Sequence, residues 1–191
     1  MRDELFIRGE VPMTKSEVRA ISLSKLELKS DCVLYDVGAG TGSVSIEASR
    51  FLTSGRIYAI EKKPEAISLI KANKEKLGAG CVTIVEGTAP EALEDLEMPT
   101  HVFIGGTSGS MTEVLDLVLQ KNPKARVVIN VIALESLAEV LSFFKNRSIV
   151  GEIVQVQVAR SRKMGNYHLM TGQNPVYVVS FGEEGGDSFE V

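Results

Sequence analysis

The sequence predicts an α/β fold in which a mostly parallel β-sheet is covered by helices on both faces. From residue 33 onwards, short apolar runs alternate with longer amphipathic segments, as in sheets whose parallel strands are joined by helices. The last two β-rich runs have no helix between them, which indicates an antiparallel hairpin at the end of the sheet. Because 191 residues suit one hydrophobic core, we expect a single domain over residues 1–191.

The predicted elements follow one another in a regular order. The N-terminal segment, residues 1–30, contains a helix over Ser16–Leu28, where apolar residues recur and Thr14 or Ser16 can cap the start. Strands are predicted at 33–37, 56–60, 82–86, 101–105 and 126–131. Helices are predicted at 43–52, 64–77, 89–95, 110–120 and 134–145. The final β-rich runs, 149–160 and 175–182, enclose a long loop at 161–174, and the acidic, glycine-rich tail at 183–191 is expected to fray.

The composition is that of an ordinary globular protein. Hydrophobic residues make up 44% of the chain and charged residues 24%, and no apolar run is long enough to span a membrane. The charged start Met1-Arg2-Asp3-Glu4 is unlike a signal peptide. Cys32 and Cys81 are expected to be reduced, and two histidines are too few for a histidine-based metal cluster. We therefore expect a cytoplasmic protein with no structural metal and no membrane partner.

A glycine-rich turn after the first predicted strand is the most informative motif. The run Asp36-Val37-Gly38-Ala39-Gly40-Thr41-Gly42-Ser43 leads into a helix, and its glycines let a ligand approach the backbone. Glu61 ends the second strand, where an acid typically binds ribose hydroxyls. The third glycine comes too early for a dinucleotide fingerprint, and a phosphate-binding loop would need Gly-Lys-Ser/Thr. The pattern therefore predicts a site for another nucleoside cofactor.

The order Asp-x-Gly-x-Gly-x-Gly resembles motif I of the class I S-adenosylmethionine methyltransferases, which have a Rossmann-like fold. The resemblance implies a seven-stranded sheet of order 3-2-1-4-5-7-6 and S-adenosyl-L-methionine as cofactor. It also implies that the glycine loop lies against the methionine part and that Glu61 binds the ribose. The cofactor-binding candidates in the two motifs are Asp36, Gly38, Ala39, Gly40, Thr41, Gly42 and Glu61.

Gly87, Thr88 and Ala89 follow the third predicted strand, at the end that faces the adenine in that fold. Gly87 would let the backbone approach the base, and the next two residues would present N–H groups, so all three are cofactor-binding candidates. The alternative is a helix cap by Thr88 with Glu91 in the first turn, and both interpretations can hold together.

Three segments together resemble the decarboxylating precorrin methyltransferases of cobalamin biosynthesis. They are Arg8-Gly9-Glu10-Val11-Pro12-Met13-Thr14-Lys15, the glycine motif continued to Glu47, and Phe103-Ile104-Gly105-Gly106. The resemblance implies methylation at C(15) of a precorrin-6 or cobalt-precorrin-6 intermediate, with decarboxylation of an acetate side chain. It further implies that Thr14 contacts the cofactor and that the protein is a homo-oligomer, a tetramer in that family. A separate C(5)-methyltransferase is a possible partner.

A basic cluster, Arg160-Ser161-Arg162-Lys163, stands out in a chain of net charge −4. The net charge argues against nucleic acid as a partner, because nucleic-acid binders present a basic face. A corrin precursor, in contrast, is a compact tetrapyrrole polycarboxylate, and arginine pairs with carboxylates through two hydrogen bonds. Arg160, Arg162 and Lys163 are therefore substrate-binding candidates, and the alternative is a solvated loop.

The end of the fourth predicted strand is where this fold presents the substrate. Gly105 and Gly106 lie there and would form a floor that admits a large, flat molecule, so both are substrate-binding candidates. Asn130, Tyr167 and His168 are further pocket candidates. No catalytic residue is assigned, because an enamine-like carbon of a reduced tetrapyrrole is nucleophilic without a strong base.

Two other classes of protein stay open. The first is a class I methyltransferase that acts on tRNA or another small molecule. The chain lacks the Asn/Asp-Pro-Pro-Tyr/Phe motif of amine-methylating enzymes after its fourth strand, and Asn174-Pro175-Val176-Tyr177 lies too far downstream to replace it. The second is a cofactor-binding module without catalysis, against which the intact motif I and Glu61 argue.

Overall fold

The computed structural model describes residues 1–182, and the tail at 183–191 lies outside the described residues. In chain order, strands β1 to β9 are Val33–Val37, Arg56–Glu61, Val82–Glu86, His101–Ile104, Arg126–Val131, Glu152–Val156, Ala159–Met164, Tyr167–Gly172 and Val176–Phe181. Helices α1 to α5 are Ser16–Leu26, Ser43–Ala48, Pro64–Leu77, Met111–Lys121 and Leu134–Arg147. Short 3₁₀ turns lie at Asp3–Leu5, Ser49–Phe51 and Glu91–Leu93.

Seven strands form one sheet of order β3-β2-β1-β4-β5-β9-β6. β1 to β5 pair in parallel, whereas β9 is antiparallel to both β5 and β6. This order is the predicted 3-2-1-4-5-7-6 once the separate hairpin β7–β8 is set aside. The predicted fold class is therefore confirmed.

The strand order places the ends of β1 and β4 side by side at the centre of the sheet. Val37 pairs with Ile60 on one side and with Ile104 on the other. The connection after β1 leads to β2 on one side of the sheet centre, and the connection after β4 leads to β5 on the other side. Such a switch point leaves a crevice at the carboxyl ends of the strands, where α/β proteins bind ligands.

Two helical layers cover the sheet and give it two apolar cores. Helices α4 and α5 bury Val114, Val118 and Phe143 on one face. Helices α1, α2 and α3 pack Leu23, Ile46 and Ile70, among others, against the opposite face. Buried on both sides, the central strands read as continuous apolar runs, which explains why the sequence pattern located them well.

Two predicted helices are shorter than expected. The segment 89–95 contains only the 3₁₀ turn Glu91–Leu93, although Ala89, Ala92 and Leu93 pack against the core. The helix predicted at 43–52 is α-helical only as far as Ala48, and the 3₁₀ turn Ser49–Phe51 follows it directly.

The prediction of a loop at 161–174 is wrong, because most of this segment forms the paired strands of the hairpin β7–β8. The run predicted at 149–160 is divided between β6 and the start of β7. Every residue from 161 to 172 is exposed, so neither face of the hairpin is buried within this chain. A strand with no buried face lacks the alternation of apolar and polar residues on which the sequence prediction depends.

Candidate active site

A cavity of about 920 Å³ opens at the carboxyl edge of the parallel strands. Its walls come from the N-terminal segment at 11–15, the glycine loop after β1, the loop after β4, the end of β5 and the base of the β7–β8 hairpin. Segments that are distant in sequence meet here because parallel strands end at one edge of the sheet.

The glycine loop lines this cavity through Gly38, Ala39, Gly40 and Thr41. Gly38 and Gly40 have φ angles of +72° and +58°, a conformation that favours glycine. A Cβ on Gly38 would lie 2.4 Å from the carbonyl oxygen of Gly106, so this glycine lets the loops after β1 and β4 pack together. The two predicted motifs are thus neighbours in space.

Gly42, the third glycine of the motif, has a packing role. It precedes α2 with a φ of +75°, and a Cβ there would lie 3.1 Å from the side chain of Ile70. It does not line the cavity, in contrast to its predicted contact with the cofactor.

Asp36 is fully buried at the end of β1 and lines the cavity. Its Oδ2 accepts hydrogen bonds from the backbone N–H and the hydroxyl of Ser45, at 3.0 and 2.5 Å. Its Oδ1 and the Oγ1 of Thr41 are buried without a hydrogen-bond partner within residues 1–182. Burial raises the pKa of Asp36 to about 6, and the Ser45 bonds oppose that rise. Two unpaired polar atoms at one cavity fit a ligand that carries hydrogen-bond donors there.

Glu61 is held in a defined orientation at the end of β2. Its Oε2 accepts a hydrogen bond from the Gly40 N–H at 2.9 Å, and its Oε1 accepts from the N–H groups of Lys62 and Lys63 at 2.8 and 3.0 Å. Each carboxylate oxygen can accept further bonds. Glu61 therefore supports the glycine loop and also lines the cavity as an acceptor for hydroxyl groups.

Thr14 lines the cavity and does not cap α1. The residue before that helix is Lys15, and no side chain makes a capping hydrogen bond there. The Thr14 carbonyl instead accepts a hydrogen bond from Arg19 at 2.5 Å. The alternative interpretation of Thr14 as a helix cap is therefore wrong.

Gly87, Thr88 and Ala89 do not line the cavity. The Gly87 N–H donates to the Glu61 carbonyl at 3.0 Å, which continues the pairing of β2 and β3. Ala89 is buried among the residues packed on α4, and its carbonyl accepts a hydrogen bond from Ser110. The Gly87 N–H and the Thr88 and Ala89 carbonyls are therefore engaged within the protein. The predicted contact of these three residues with the cofactor stays a prediction.

Gly105, Gly106 and Asn130, three of the predicted substrate-binding residues, all line the cavity. A Cβ on Gly106 would meet no atom within 4 Å, so this floor is open. The Asn130 amide nitrogen donates to the Ser22 hydroxyl at 2.9 Å, which ties the end of β5 to α1. Ile132 lines the mouth with 60% of its surface exposed.

The basic cluster lies away from the cavity. Arg160, Arg162 and Lys163 are on β7, and Tyr167 and His168 are on β8, and none of the five lines the cavity. Because side chains alternate along a strand, Arg162 and Lys163 point to opposite faces of the hairpin, and Arg160 is paired with acidic residues of this chain. The prediction that this cluster binds a substrate in the cavity is therefore not supported.

Sequence reasoning missed the hairpin base as part of the site. Val158, Gln173 and Asn174 line the cavity. Asn174 belongs to the Asn174-Pro175-Val176-Tyr177 run, which had been set aside because of its distance along the chain. No local pattern marks Val158 or Gln173, since their role follows from where the hairpin leaves the sheet.

No group of His, Cys, Asp and Glu side chains placed to hold a metal ion is found within residues 1–182. A search of the same residues finds no helix that is both long and apolar enough to cross a membrane.

The strand order, the glycine loop after β1 and the acid at the end of β2 define the fold of a class I S-adenosylmethionine methyltransferase. Distant solved structures share the fold alone. One is a tRNA (m1A58) methyltransferase from Aquifex aeolicus, with a TM-score of 0.71 at 15% identity over 96% of this chain and 76% of that chain.

Within that class, the chain belongs to the precorrin methyltransferase family, since residues 5–182 match the family's precorrin methyltransferase domain. A "Probable cobalt-precorrin-6B C(15)-methyltransferase (decarboxylating)" of Pyrobaculum calidifontis is 42% identical over 93% of both chains. The cobalt-precorrin-6B C(15)-methyltransferase (decarboxylating) of Salmonella typhimurium is 39% identical over 96% of both chains. A solved structure named precorrin-6y C5,15-methyltransferase, from Geobacter metallireducens, has a TM-score of 0.90 at 38% identity, covering 96% of this chain and 97% of that one.

Proposed function

We propose that this protein is an S-adenosylmethionine-dependent methyltransferase that methylates C(15) of cobalt-precorrin-6B or precorrin-6B and removes the carboxyl group of an acetate side chain. The observation that carries the proposal is one cavity that joins the glycine loop to the open floor at Gly105 and Gly106. Relatives of this name match nearly the whole chain.

The cofactor side of the cavity fits S-adenosylmethionine by its chemistry. The unpaired buried oxygens of Asp36 and Thr41 would accept hydrogen bonds from the methionine part, which carries an ammonium group. Glu61 would accept from the ribose hydroxyls, and Thr14 would contact the cofactor from the N-terminal wall. Of the candidate residues, we retain these four together with Gly38, Ala39 and Gly40, because all of them line the cavity.

The protein's main contribution to methylation is alignment of the substrate. Bound S-adenosylmethionine supplies a methyl group already activated by its sulfonium. Gly105 and Gly106 leave room for the edge of a flat macrocycle to approach closely, and Ile132 offers apolar contact at the mouth. Because Gly106 packs against Gly38, the floor and the glycine loop keep a fixed position relative to each other. This favours an arrangement in which the substrate carbon lies close to the methyl group and water is excluded.

Decarboxylation needs an electron sink more than a protein nucleophile. When the acetate side chain loses carbon dioxide, the bonding electron pair moves into the conjugated macrocycle, and a proton then replaces the carboxyl group. Asn130 is the polar side chain at the end of β5 that could orient an acidic group of the substrate. Its amide is already held by Ser22, so its position is fixed before binding.

The exposed hairpin β7–β8 supports the proposal of a homo-oligomer, and a tetramer is the state that the family resemblance implies. Met164, Tyr167, Leu169 and Met170 are all exposed, by 55%, 74%, 51% and 66% of their surface. Such a concentration of large apolar side chains on a projecting ribbon is typical of a protein interface. A C(5)-methyltransferase as a further partner and a cytoplasmic location stay part of the proposal.

The decisive experiment incubates the purified protein with S-adenosylmethionine and a panel of corrin precursors with and without cobalt. We expect a product that has gained one methyl group and lost one carbon dioxide by mass spectrometry, with S-adenosylhomocysteine formed in equal amount. Methylation of tRNA with no reaction of any corrin precursor would contradict the proposal.

A further inference from the structure

Two walls of the cavity come from opposite ends of the chain. Pro12 to Lys15 form the N-terminal wall, and Val158 and Gln173 at the base of the β7–β8 hairpin form part of another. The Gln173 N–H donates to the Val158 carbonyl at 2.8 Å, which joins the two strands of the hairpin base. The geometry of the cavity therefore depends on how the hairpin base sits relative to the N-terminal wall.

Arg160, which follows closely on Val158, connects these walls. Its Nε donates to the Glu17 Oε1 at 3.0 Å, and its Nη2 donates to the other Glu17 oxygen, to the Asp3 Oδ2 at 3.0 Å and to the Ser16 hydroxyl at 3.1 Å. Ser16 and Glu17 begin α1, directly after the cavity-lining Thr14 and Lys15. Hydrogen bonding to Arg160 lowers the pKa of Glu17 to about 2, so Glu17 is ionised at neutral pH.

The contact continues from Asp3 to Thr14 through a second arginine. The Asp3 Oδ1 accepts from the Arg19 Nη1 at 3.3 Å, and the same nitrogen donates to the Thr14 carbonyl at 2.5 Å. Arg19 is fully buried and also donates to the Glu47 carboxylate at 2.6 Å. Asp3 is itself almost fully buried, so it joins the two arginines with little screening by water.

We propose that Arg160 is a positioning residue for cofactor binding. It fixes the hairpin base to the start of α1 and to Asp3, and this holds Thr14 at the cavity. The inference rests on the proposed function, in which S-adenosylmethionine binds beside Thr14. Arg160 does not itself line the cavity, and it acts through Asp3, Glu17 and Arg19.

The test measures S-adenosylmethionine binding by calorimetry with the full chain and an Arg160→Gln variant. We expect the dissociation constant to rise about 3- to 10-fold, since Arg160→Gln loses both the partly exposed pair with Glu17 and the pair with the buried Asp3. Arg160→Lys keeps a cation near Asp3 and Glu17 and should recover most of the affinity. Hydrogen exchange in the segment 8–15 should become faster in Arg160→Gln and return towards the native rate in Arg160→Lys.

Lys25→Gln is the matched control. Lys25 lies at the other end of α1 and pairs with Glu152 on β6, so it also ties this helix to the C-terminal part of the chain. The Lys25–Glu152 pair and the Arg160–Glu17 pair are similarly exposed. The exposed fraction of the side chain is 29% for Lys25 and 52% for Glu152, against 37% for Arg160 and 42% for Glu17. We expect Lys25→Gln to leave both the cofactor affinity and the exchange of the segment 8–15 unchanged.

Native cofactor affinity in a folded Arg160→Gln variant would overturn the inference. Equal losses of affinity in Arg160→Gln and Lys25→Gln would overturn it as well, because they would reflect a general loss of stability. Failure of the unmodified protein to bind S-adenosylmethionine would contradict the proposed function itself, a result that is distinct from both.

Discussion

Replacing Glu61 by alanine tests the proposed cofactor site most directly. The carboxylate lies at the end of β2, held by three backbone N–H groups at 2.8 to 3.0 Å, and we expect it to accept hydrogen bonds from the ribose. A hydrogen bond to a charged group contributes about 1.5–3 kcal/mol, and about 1.4 kcal/mol corresponds to a tenfold change in affinity. Glu61→Ala should therefore weaken S-adenosylmethionine binding about 10- to 150-fold.

Glu86 provides the control for this measurement. It is the partner of Glu61 in the β2–β3 register and pairs with Lys71 at 2.9 Å on the protein surface. Glu86→Ala loses an exposed ion pair worth about 0–1 kcal/mol and does not alter the cavity, so the cofactor affinity should be native. Glu61→Gln, which keeps the shape, should give an intermediate affinity. If folded Glu61→Ala binds the cofactor as tightly as Glu86→Ala in calorimetry, the assignment of the ribose to Glu61 is wrong.

Four further predictions concern the rest of the site and the hairpin. Gly106→Val fills the open floor and should raise the KM for the corrin precursor at least several-fold, while the cofactor affinity stays native. Gly80 also lies in open space but far from the cavity, so Gly80→Val should change neither quantity. Because burial raises the pKa of Asp36 to about 6, cofactor affinity should fall as the pH drops below about 6, and the same titration of Asp36→Asn should show no such dependence. The carboxyl of Asp36 holds its proton more tightly in the folded protein than in the unfolded chain. Its contribution to the free energy of unfolding is therefore fully present below the unfolded pKa of 3.8 and is lost as the pH rises through about 6. Urea unfolding of the wild type and of Asp36→Asn at several pH values would reveal this change. Tyr167→Ser combined with Met170→Ser should shift the protein to smaller species in light scattering, and an unchanged mass would contradict the hairpin interface.

The sheet and the glycine loop could be predicted because their signals are local. β1 and β4 are buried on both faces and read as apolar runs. The spacing of Gly38 and Gly40 reflects positive φ angles within a single turn. Glu61 was found by its place at the end of a strand, which depends only on counting elements.

The hairpin β7–β8 shows where this kind of reasoning ends. Its strands are exposed on both faces, so no alternation of apolar and polar residues marks them, and the segment was predicted as a loop. The same lack of pattern hid the contribution of Val158 and Gln173 to the cavity.

The amino-acid sequence by itself determined the class of fold, the cofactor motif and the family, because strand burial, turn geometry and motif spacing are encoded over short distances. Only the tertiary structure decided what Arg160 does. A cluster of basic residues can meet a ligand or the protein's own acids, and the sequence pattern is the same in both cases. Here Arg160 meets Glu17 and Asp3, which lie 143 and 157 positions away along the chain. Which opposite charge it meets depends on how the hairpin leaves the sheet, and the assembled fold alone specifies that geometry.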